Sequence, residues 1–211
     1  DINCFNKGFY KSQYESLHTA ETLGMTQNDL EKSTNALLDY LQDEREDIKV
    51  TITLKGTQTE AFNARESAHM TDVKNLYQFA LVLRNVAFVL LAASLIYMFV
   101  RLKKGMWTII SINYMKTAIL AAVFFAMLAG WTFVDFDAFW TTFHKIAFRN
   151  DLWLLNPATD LMINLFPAEF FSSLVFRIVG FFAFSFVGFF VLSYLYLRHR
   201  LRKLHGEMEN E

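Results

Sequence analysis

Helix-breaking residues and charged side chains are both scarce in this chain. Its 211 residues include only 2 prolines and 8 glycines, and charged residues make up 19%, which is below the roughly 25% of soluble domains. A single cysteine, Cys4, excludes an internal disulfide and a cysteine-ligated zinc site. There is no basic patch interleaved with aromatic side chains, so a nucleic acid is not expected as a partner.

Hydrophobic side chains are abundant instead, at 54% of the residues, and 23 of them are Phe. A span of the bilayer core needs roughly 20 apolar residues, and three stretches are long and apolar enough: 79–100, 108–134 and 171–197. The sequence therefore predicts a mostly α-helical membrane protein with three spans. We also expect a further helix ahead of Asp1 that exports the segment before the first span, which would make the complete protein a four-helix bundle.

The charges are distributed unevenly along the chain. Residues 1–78 hold 8 basic and 13 acidic side chains, and residues 79–211 hold 12 and 8. The basic residues of the second part collect in the 101–106 turn and the 198–211 tail, whereas the 135–170 loop has two basic and five acidic residues. Because basic residues favour the cytoplasmic side, we predict an extracytoplasmic cap over 1–78. We predict a transmembrane domain over 79–211, in which 135–170 is an outer amphipathic loop and 198–211 is a basic cytoplasmic tail.

The cap is predicted to be a small α+β structure. Tyr10, Tyr14 and Leu17 fall at helical spacing, and Thr26 with Asp29 predicts the capped start of a second helix that runs to about Leu41. Alternating apolar and polar residues over 48–55 predict a strand with one buried face. A last helix is expected to begin at about residue 63 and to continue into the first span.

Two of the five histidines are candidates for chemistry. His69 and His144 each lie just outside a predicted span on the outer side, so we expect them to meet at the membrane boundary. Glu66 and Asp72 lie three residues to either side of His69 on a helix, where a carboxylate fixes the tautomer of an imidazole and raises its pKa. The alternative is an ordinary amphipathic helix.

The other three histidines, His18 on an early helix and His199 and His205 in the tail, are interpreted as solvated.

Further polar candidates surround the second histidine and the span ends. A cluster of hydrogen-bonding side chains follows His144: Arg149, Asn150 and Asp151. The alternative is an interfacial helix in which Trp140 and Trp153 are anchors at the membrane surface. Arg84 and Arg177 lie less than about two turns inside the outer boundary, where they bind an ester carbonyl or head group or extend to the interface.

The motifs of several enzyme classes are missing. The chain has no HExxH, no GxSxG, no glycine-rich phosphate loop and no CxxC, and no spacing specific to metal sites, so no metal and no cofactor are expected. Two alternatives remain open at this point. One is a metal-dependent lipid hydrolase that uses the same histidines and carboxylates, and the other is a non-catalytic membrane subunit.

Three segments resemble a bacterial family of integral membrane proteins, the lipoprotein intramolecular transacylases (Lit). They are FNARESAHMTDVKNLY (62–77), FHKIAFRNDLWLLNPATDLMINLFPAEFF (143–171) and, in the cap, TLGMTQNDLEKSTNALLDYL (22–41). The resemblance covers essentially the whole chain. It implies an enzyme that moves the sn-2 acyl chain of a diacylglyceryl-lipoprotein to the α-amino group of its N-terminal cysteine, which gives a lyso-form lipoprotein.

The resemblance also implies the site and its setting. His69 and His144 correspond to the family's catalytic histidines, and no cofactor is implied. The expected partners are a lipid-modified lipoprotein and membrane lipid, with the protein acting as a monomer. The expected location is the bacterial cytoplasmic membrane, with the active site on the extracytoplasmic face. Which histidine acts as base and which as acid is left open.

Overall fold

A computed structural model describes residues 5–208, apart from the side chain of Lys104. Cys4 therefore lies outside the described residues. The chain forms two compact units. The first unit combines the N-terminal part through Arg84 with Phe136–Val175, and the second combines Asn85–Asp135 with the chain from Phe176 onward. The predicted division at residue 78 refers to the sides of a membrane, and it stays a prediction.

Three helices open the first unit: α1 (Lys7–Ser16), α2 (Thr19–Leu23) and α3 (Gln27–Leu41). The hydroxyl of Thr26 caps α3 by accepting from the Asp29 N–H at 3.1 Å, so the predicted start and end of this helix are confirmed. His18 was expected on a helix, but it lies between α1 and α2 with φ 50°. Its left-handed backbone breaks the first helix there.

The sheet of the first unit is a hairpin. Strand β1 (Thr51–Leu54) pairs antiparallel with β2 (Thr57–Glu60), and Gly56 with φ 82° lies in the turn between them. The predicted inward face is confirmed, since Ile48, Val50 and Ile52 are buried, but the ladder covers only 51–54. The side chains of β2 are polar and all exposed, so no alternation of hydrophobicity revealed this strand.

The hydrophobic core of the first unit joins both of its segments. Leu30 from α3 is fully buried in it together with Leu165 and Phe170 from the second segment. Tyr14 stacks on Phe170 with ring centroids 6.0 Å apart, and its hydroxyl shares a hydrogen bond of 2.7 Å with the Thr34 hydroxyl. The 136–175 segment is thus held against the N-terminal helices by aromatic packing.

Three helices of residues 5–208 are long and apolar enough to cross a membrane: α4 (Ala64–Leu102), α5 (Met106–Val134) and α8 (Ala168–Met208). The predicted membrane fold is confirmed. As expected, α4 continues without a break from residue 64 into the first span. At about 1.5 Å per residue it is longer than a hydrocarbon core of about 30 Å. Its first turns, which carry His69, precede the apolar span at 79–100.

The segment between the second and third spans forms two shorter helices. They are α6 (Phe136–Ala147) and α7 (Leu161–Leu165), joined by irregular chain over 148–160. A helix around Trp140, which the sequence allows as the alternative interpretation, is thus present as α6. His144 is its buried residue, and Phe148 follows directly, its N–H donating to the His144 carbonyl at 2.8 Å.

Candidate active site

His69 and His144 lie next to each other inside the first unit. Their ring centroids are 6.1 Å apart, and the rings are tilted by 35°. Both side chains are buried, with 6% and 7% of their surface exposed. The expectation that these two histidines approach each other is confirmed. The α4 helix supplies one and α6 the other.

Aromatic rings surround His144 on several sides. Trp140 lies edge-on at 4.8 Å between ring centroids, and Trp153 lies at 5.0 Å with a tilt of 32°. Phe148 contacts both histidines, at 5.6 Å from His144 and 5.3 Å from His69. The sequence suggests both tryptophans as anchors at the membrane surface only under the alternative of an interfacial helix, and nothing in it predicts that their rings contact the imidazole.

One hydrogen bond fixes the tautomer of His144. Its Nδ1 lies 2.7 Å from the backbone carbonyl oxygen of Trp140, one turn earlier in α6. A carbonyl oxygen only accepts, so Nδ1 carries the hydrogen and donates. In the neutral imidazole, Nε2 is therefore the nitrogen with the lone pair.

His69 differs from His144 in its hydrogen bonding. Its Nδ1 is buried and has no hydrogen-bond partner among residues 5–208. Leaving a buried polar group without a partner costs roughly 1–3 kcal/mol. Such costs are typically tolerated at sites where a ligand supplies the missing partner.

Both histidines are held in the neutral form at physiological pH. Burial, together with the nearby His144 and Arg65, lowers the pKa of His69 to about 4, and the Asp72 carboxylate opposes this change only in part. Burial also lowers the pKa of His144, although its bond to the Trp140 carbonyl opposes the change. Each neutral imidazole has one nitrogen that donates a hydrogen bond and one that accepts a hydrogen bond or a proton.

The Glu66 side chain caps the start of α4 and does not hydrogen-bond to His69. Its Oε2 accepts from the Asn63 N–H at 2.7 Å, while Asn63 Oδ1 accepts from the Glu66 N–H at 3.0 Å, which is a reciprocal capping box. Its Oε1 accepts from the Met162 N–H at 2.6 Å. Burial raises the pKa of this carboxyl, and the backbone donors oppose that shift. Glu66 thus joins α4 to the segment after α6.

Asp160 extends the same network, and sequence reasoning missed it. Its Oδ1 accepts from Asn63 Nδ2 at 2.8 Å, and its Oδ2 accepts from the Asn156 N–H at 2.7 Å. The Asn156 bond is the main cause that lowers the pKa of Asp160, against the effect of burial. The asparagine three residues before Glu66 was the available signal for the cap, but its partner 97 positions away has no signature in the sequence.

Two further bonds tie the 149–151 segment to α4. The Asn150 amide donates to Asp72 Oδ2 at 2.9 Å, and the Arg65 guanidinium donates to the Asp151 carbonyl oxygen. Arg149 is exposed. Asp72, Asn150 and Asp151 thus lie in one cluster, in which Asp151 takes part through its backbone. Arg65 is an addition that the sequence did not suggest.

The two arginines predicted inside the spans lie further along the long helices. Arg84 follows His69 by 15 residues on the same helix, which is about 22 Å along the axis. Arg177 lies in α8 within the second unit. In the part of the chain that the structure describes, no group of three His, Cys, Asp or Glu side chains is arranged to hold a metal ion.

The three apolar helices and the buried pair of neutral histidines define an integral membrane protein with a site suited to acid–base chemistry. The chain belongs to the Lit family, since the family model described as "Lipoprotein intramolecular transacylase Lit" matches residues 1–171. The activity of this family is that of a membrane-integral acyltransferase that acts on lipoproteins. No curated protein matches the chain.

Solved structures show the same fold. The chain is similar to the structure of the membrane-integral lipoprotein intramolecular transacylase Lit from Bacillus cereus, with 21% identity and a TM-score of 0.70 over 97% of this chain and 87% of that one. Two variants of the Bacillus cereus protein, with one histidine replaced by alanine or by arginine, give TM-scores of 0.66 and 0.67 at 20% identity. They cover 97% and 98% of this chain and 85% and 84% of theirs.

Proposed function

We propose that His69 and His144 catalyse transfer of the sn-2 acyl chain of a diacylglyceryl-lipoprotein to the α-amino group of its N-terminal cysteine. The observation that carries this proposal is the pair of buried imidazoles with ring centroids 6.1 Å apart. Both are neutral at physiological pH because their pKa values are lowered. A neutral imidazole accepts a proton and delivers it again once it is protonated, which is what transfer from an ester to an amine requires.

His144 acts as the base. Its Nδ1 donates to the Trp140 carbonyl, so its Nε2 lone pair is available for a proton. An α-amino group has a reference pKa near 8 and is mostly protonated at neutral pH, so it must lose a proton before or during its attack. A base whose tautomer is fixed in advance needs no reorganisation when the amine approaches.

His69 acts as the acid. The amine nitrogen forms a bond to the ester carbonyl carbon, and the bond from that carbon to the glyceryl oxygen breaks. The proton that His144 takes from the amine passes to the leaving oxygen through His69, whose neutral ring accepts it at one nitrogen and releases one from the other, so both imidazoles end neutral. The Nδ1 of His69 has no hydrogen-bond partner among the described residues. The proton released by the amine balances the proton taken by the alkoxide, so the reaction consumes no water and no cofactor.

Orientation replaces a nucleophile of the protein in this scheme. Ester and amine belong to one molecule, and good alignment of two reacting groups contributes up to about 7–11 kcal/mol. The rings of Trp140, Phe148 and Trp153 form an apolar wall beside the histidines, which suits the acyl chains. The Asn150 amide is already bonded to Asp72, so Arg149 is the better candidate to stabilise the oxyanion.

The proposal includes the setting of the site. One chain supplies both histidines, which supports a site complete in a monomer. The charge distribution supports the extracytoplasmic face, because the basic turn at 101–106 and the basic tail lie at the ends of the spans far from residues 69 and 144 in sequence. In a Cys4→Ala background, we expect a cysteine introduced at position 103 to react with a membrane-impermeant reagent only after cells are opened. Labelling of intact cells would contradict this orientation.

The test of the activity is mass spectrometry of an N-terminal lipopeptide after expression of the chain beside a diacylglyceryl-lipoprotein. We expect one acyl chain on the α-amino nitrogen and a free hydroxyl at the sn-2 position. The matched control is the same expression with the double variant His69→Gln and His144→Gln, which should leave both chains on the glyceryl group. Loss of an acyl chain as free fatty acid would instead indicate a hydrolase.

A further inference from the structure

A groove of about 600 Å³ lies between α5 and the last turns of α8, entirely within the second unit. Its wall is partly apolar, formed by Met115, Leu197 and Leu201. Its other lining side chains include three nitrogen-bearing ones, Arg198, Arg202 and His205. The groove therefore combines the two chemistries of an amphiphile, and the transfer reaction uses none of these residues.

The two guanidinium groups are placed to act together. Arg198 and Arg202 are four residues apart on a helix and so lie on the same face. Neither forms an ion pair with a carboxylate in the described part of the chain, and no acidic residue occurs from 198 to 206. Guanidinium groups bind phosphate oxygens through paired, charge-assisted hydrogen bonds.

The position along α8 favours a membrane lipid over a dissolved anion. The apolar part of this helix ends at about Leu197, so the basic side chains begin where the hydrocarbon core ends. A phosphate held at Arg198 and Arg202 is attached, in a phospholipid, to chains that contact the apolar wall. We propose that this groove binds an anionic membrane phospholipid, with its phosphate on the two arginines and part of an acyl chain against Met115, Leu197 and Leu201.

The chain offers a matched control for this proposal. Arg200 and Lys203 belong to the same basic tail but do not line the groove, and at 100° per residue they lie on the opposite face of α8. The double variants Arg198→Gln with Arg202→Gln and Arg200→Gln with Lys203→Gln lose the same charge. Any effect of net charge alone is therefore equal in the two.

The experiment is native mass spectrometry of the full chain in detergent micelles, with phosphatidylglycerol or phosphatidylcholine of the same acyl chains. We expect phosphatidylglycerol to bind more tightly than phosphatidylcholine. Its affinity should fall by about 30-fold in the groove variant, as expected from about 1 kcal/mol per basic residue, and stay near wild type in the control. If the groove variant does not fold, Arg202→Gln and Lys203→Gln are compared as single variants.

Three results would overturn the proposal. Equal weakening in both double variants would show a diffuse charge effect with no site. Equal affinity for phosphatidylglycerol and phosphatidylcholine would show that the arginines do not select the anionic head group. Inorganic phosphate that binds as tightly as phosphatidylglycerol, and with the same loss in the groove variant, would show a site for a free anion. None of these results bears on the proposed acyl transfer.

Discussion

The backbone N–H of Met162 donates to Glu66 Oε1 at 2.6 Å, which joins two residues 96 positions apart. Glu66 lies one turn before His69 in α4, and Met162 lies in α7, which follows α6 and His144. The other oxygen of the same carboxylate caps α4 through the Asn63 N–H. A single buried side chain thus fixes the start of the helix that carries one histidine against the segment that carries the other.

Replacing Glu66 by Gln should therefore lower both stability and activity. An amide presents only one oxygen, so its NH2 group faces one of the two backbone N–H donors that the carboxylate now accepts from. We expect a loss of about 1–3 kcal/mol in the free energy of unfolding, measured by thermal melting in detergent. Activity should fall with it. The control is Glu60→Gln, at an exposed position of β2, which should leave both unchanged.

Removing either histidine should abolish most of the acyl transfer. General acid or base catalysis contributes about 10²–10⁴-fold, so His69→Ala and His144→Ala should each reduce the rate by that order. Because both groups act on one transition state, the double variant should be little slower than the slower single variant. The measurement is the rate of lyso-form lipopeptide production by mass spectrometry. His18→Asn, at an exposed site whose left-handed backbone suits Asn, should match wild type.

How far the sequence predicts this molecule depends on the range of each interaction. The spans, the capped start of α3 and the continuous α4 follow from local hydropathy and capping. The approach of His69 and His144 follows from their positions beside spans on one side. The bonds from Glu66 to Met162 and from Asn63 to Asp160 join residues about 96 positions apart. Such pairs have no periodicity that a single sequence displays, so the carboxylate at Glu66 was interpreted as a partner of His69.

The lowered pKa of His69 makes stability depend on pH in a definite direction. In the unfolded chain its pKa is near 6.5, and in the folded protein it is about 4, so between these values the unfolded state binds more protons. The neutral His69 therefore makes its full contribution to the free energy of unfolding above about pH 6.5. This contribution is lost as pH falls toward about 4. At about 1.4 kcal/mol per pKa unit, the full difference is at most about 3.5 kcal/mol.

The measurement is the melting temperature from pH 7.5 to pH 4.5, for wild type and His69→Gln. The difference between the two curves isolates His69, because all other titrating groups are present in both. The raised pKa of Glu66 lowers stability as pH rises. Because Glu66 is present in both proteins, its effect is removed when one curve is subtracted from the other. Parallel curves would mean that His69 titrates normally in the folded protein.

The bond between Asn150 and Asp72 should affect substrate binding more than chemistry. It ties the segment after α6 to α4, and Asn150→Ala removes it. We expect a higher KM with a smaller change in kcat, because the loosened segment must be ordered each time substrate binds. In Asp72→Asn the amide oxygen still accepts from Asn150, so KM should stay near wild type. If Asp72→Asn raises KM as much as Asn150→Ala does, the charge and not the tether is responsible.

The transfer itself should leave no acyl group on the protein at any stage. No serine or threonine hydroxyl is hydrogen-bonded to His69 or His144 within residues 5–208, as activation of a nucleophile by a base requires. The only cysteine, Cys4, is far from both histidine segments in sequence, so Cys4→Ala should keep near wild-type activity.

Mass spectrometry of the intact protein, stopped early in turnover with excess lipopeptide, measures this directly. We expect only the unmodified mass while lyso-form product accumulates, because the ester and the amine react within one bound molecule. An adduct of one fatty acyl group on Cys4, Ser67 or Ser172 that forms and decays at the turnover rate would establish a two-step route. In that case His144 would serve as the base for the protein nucleophile rather than for the amine.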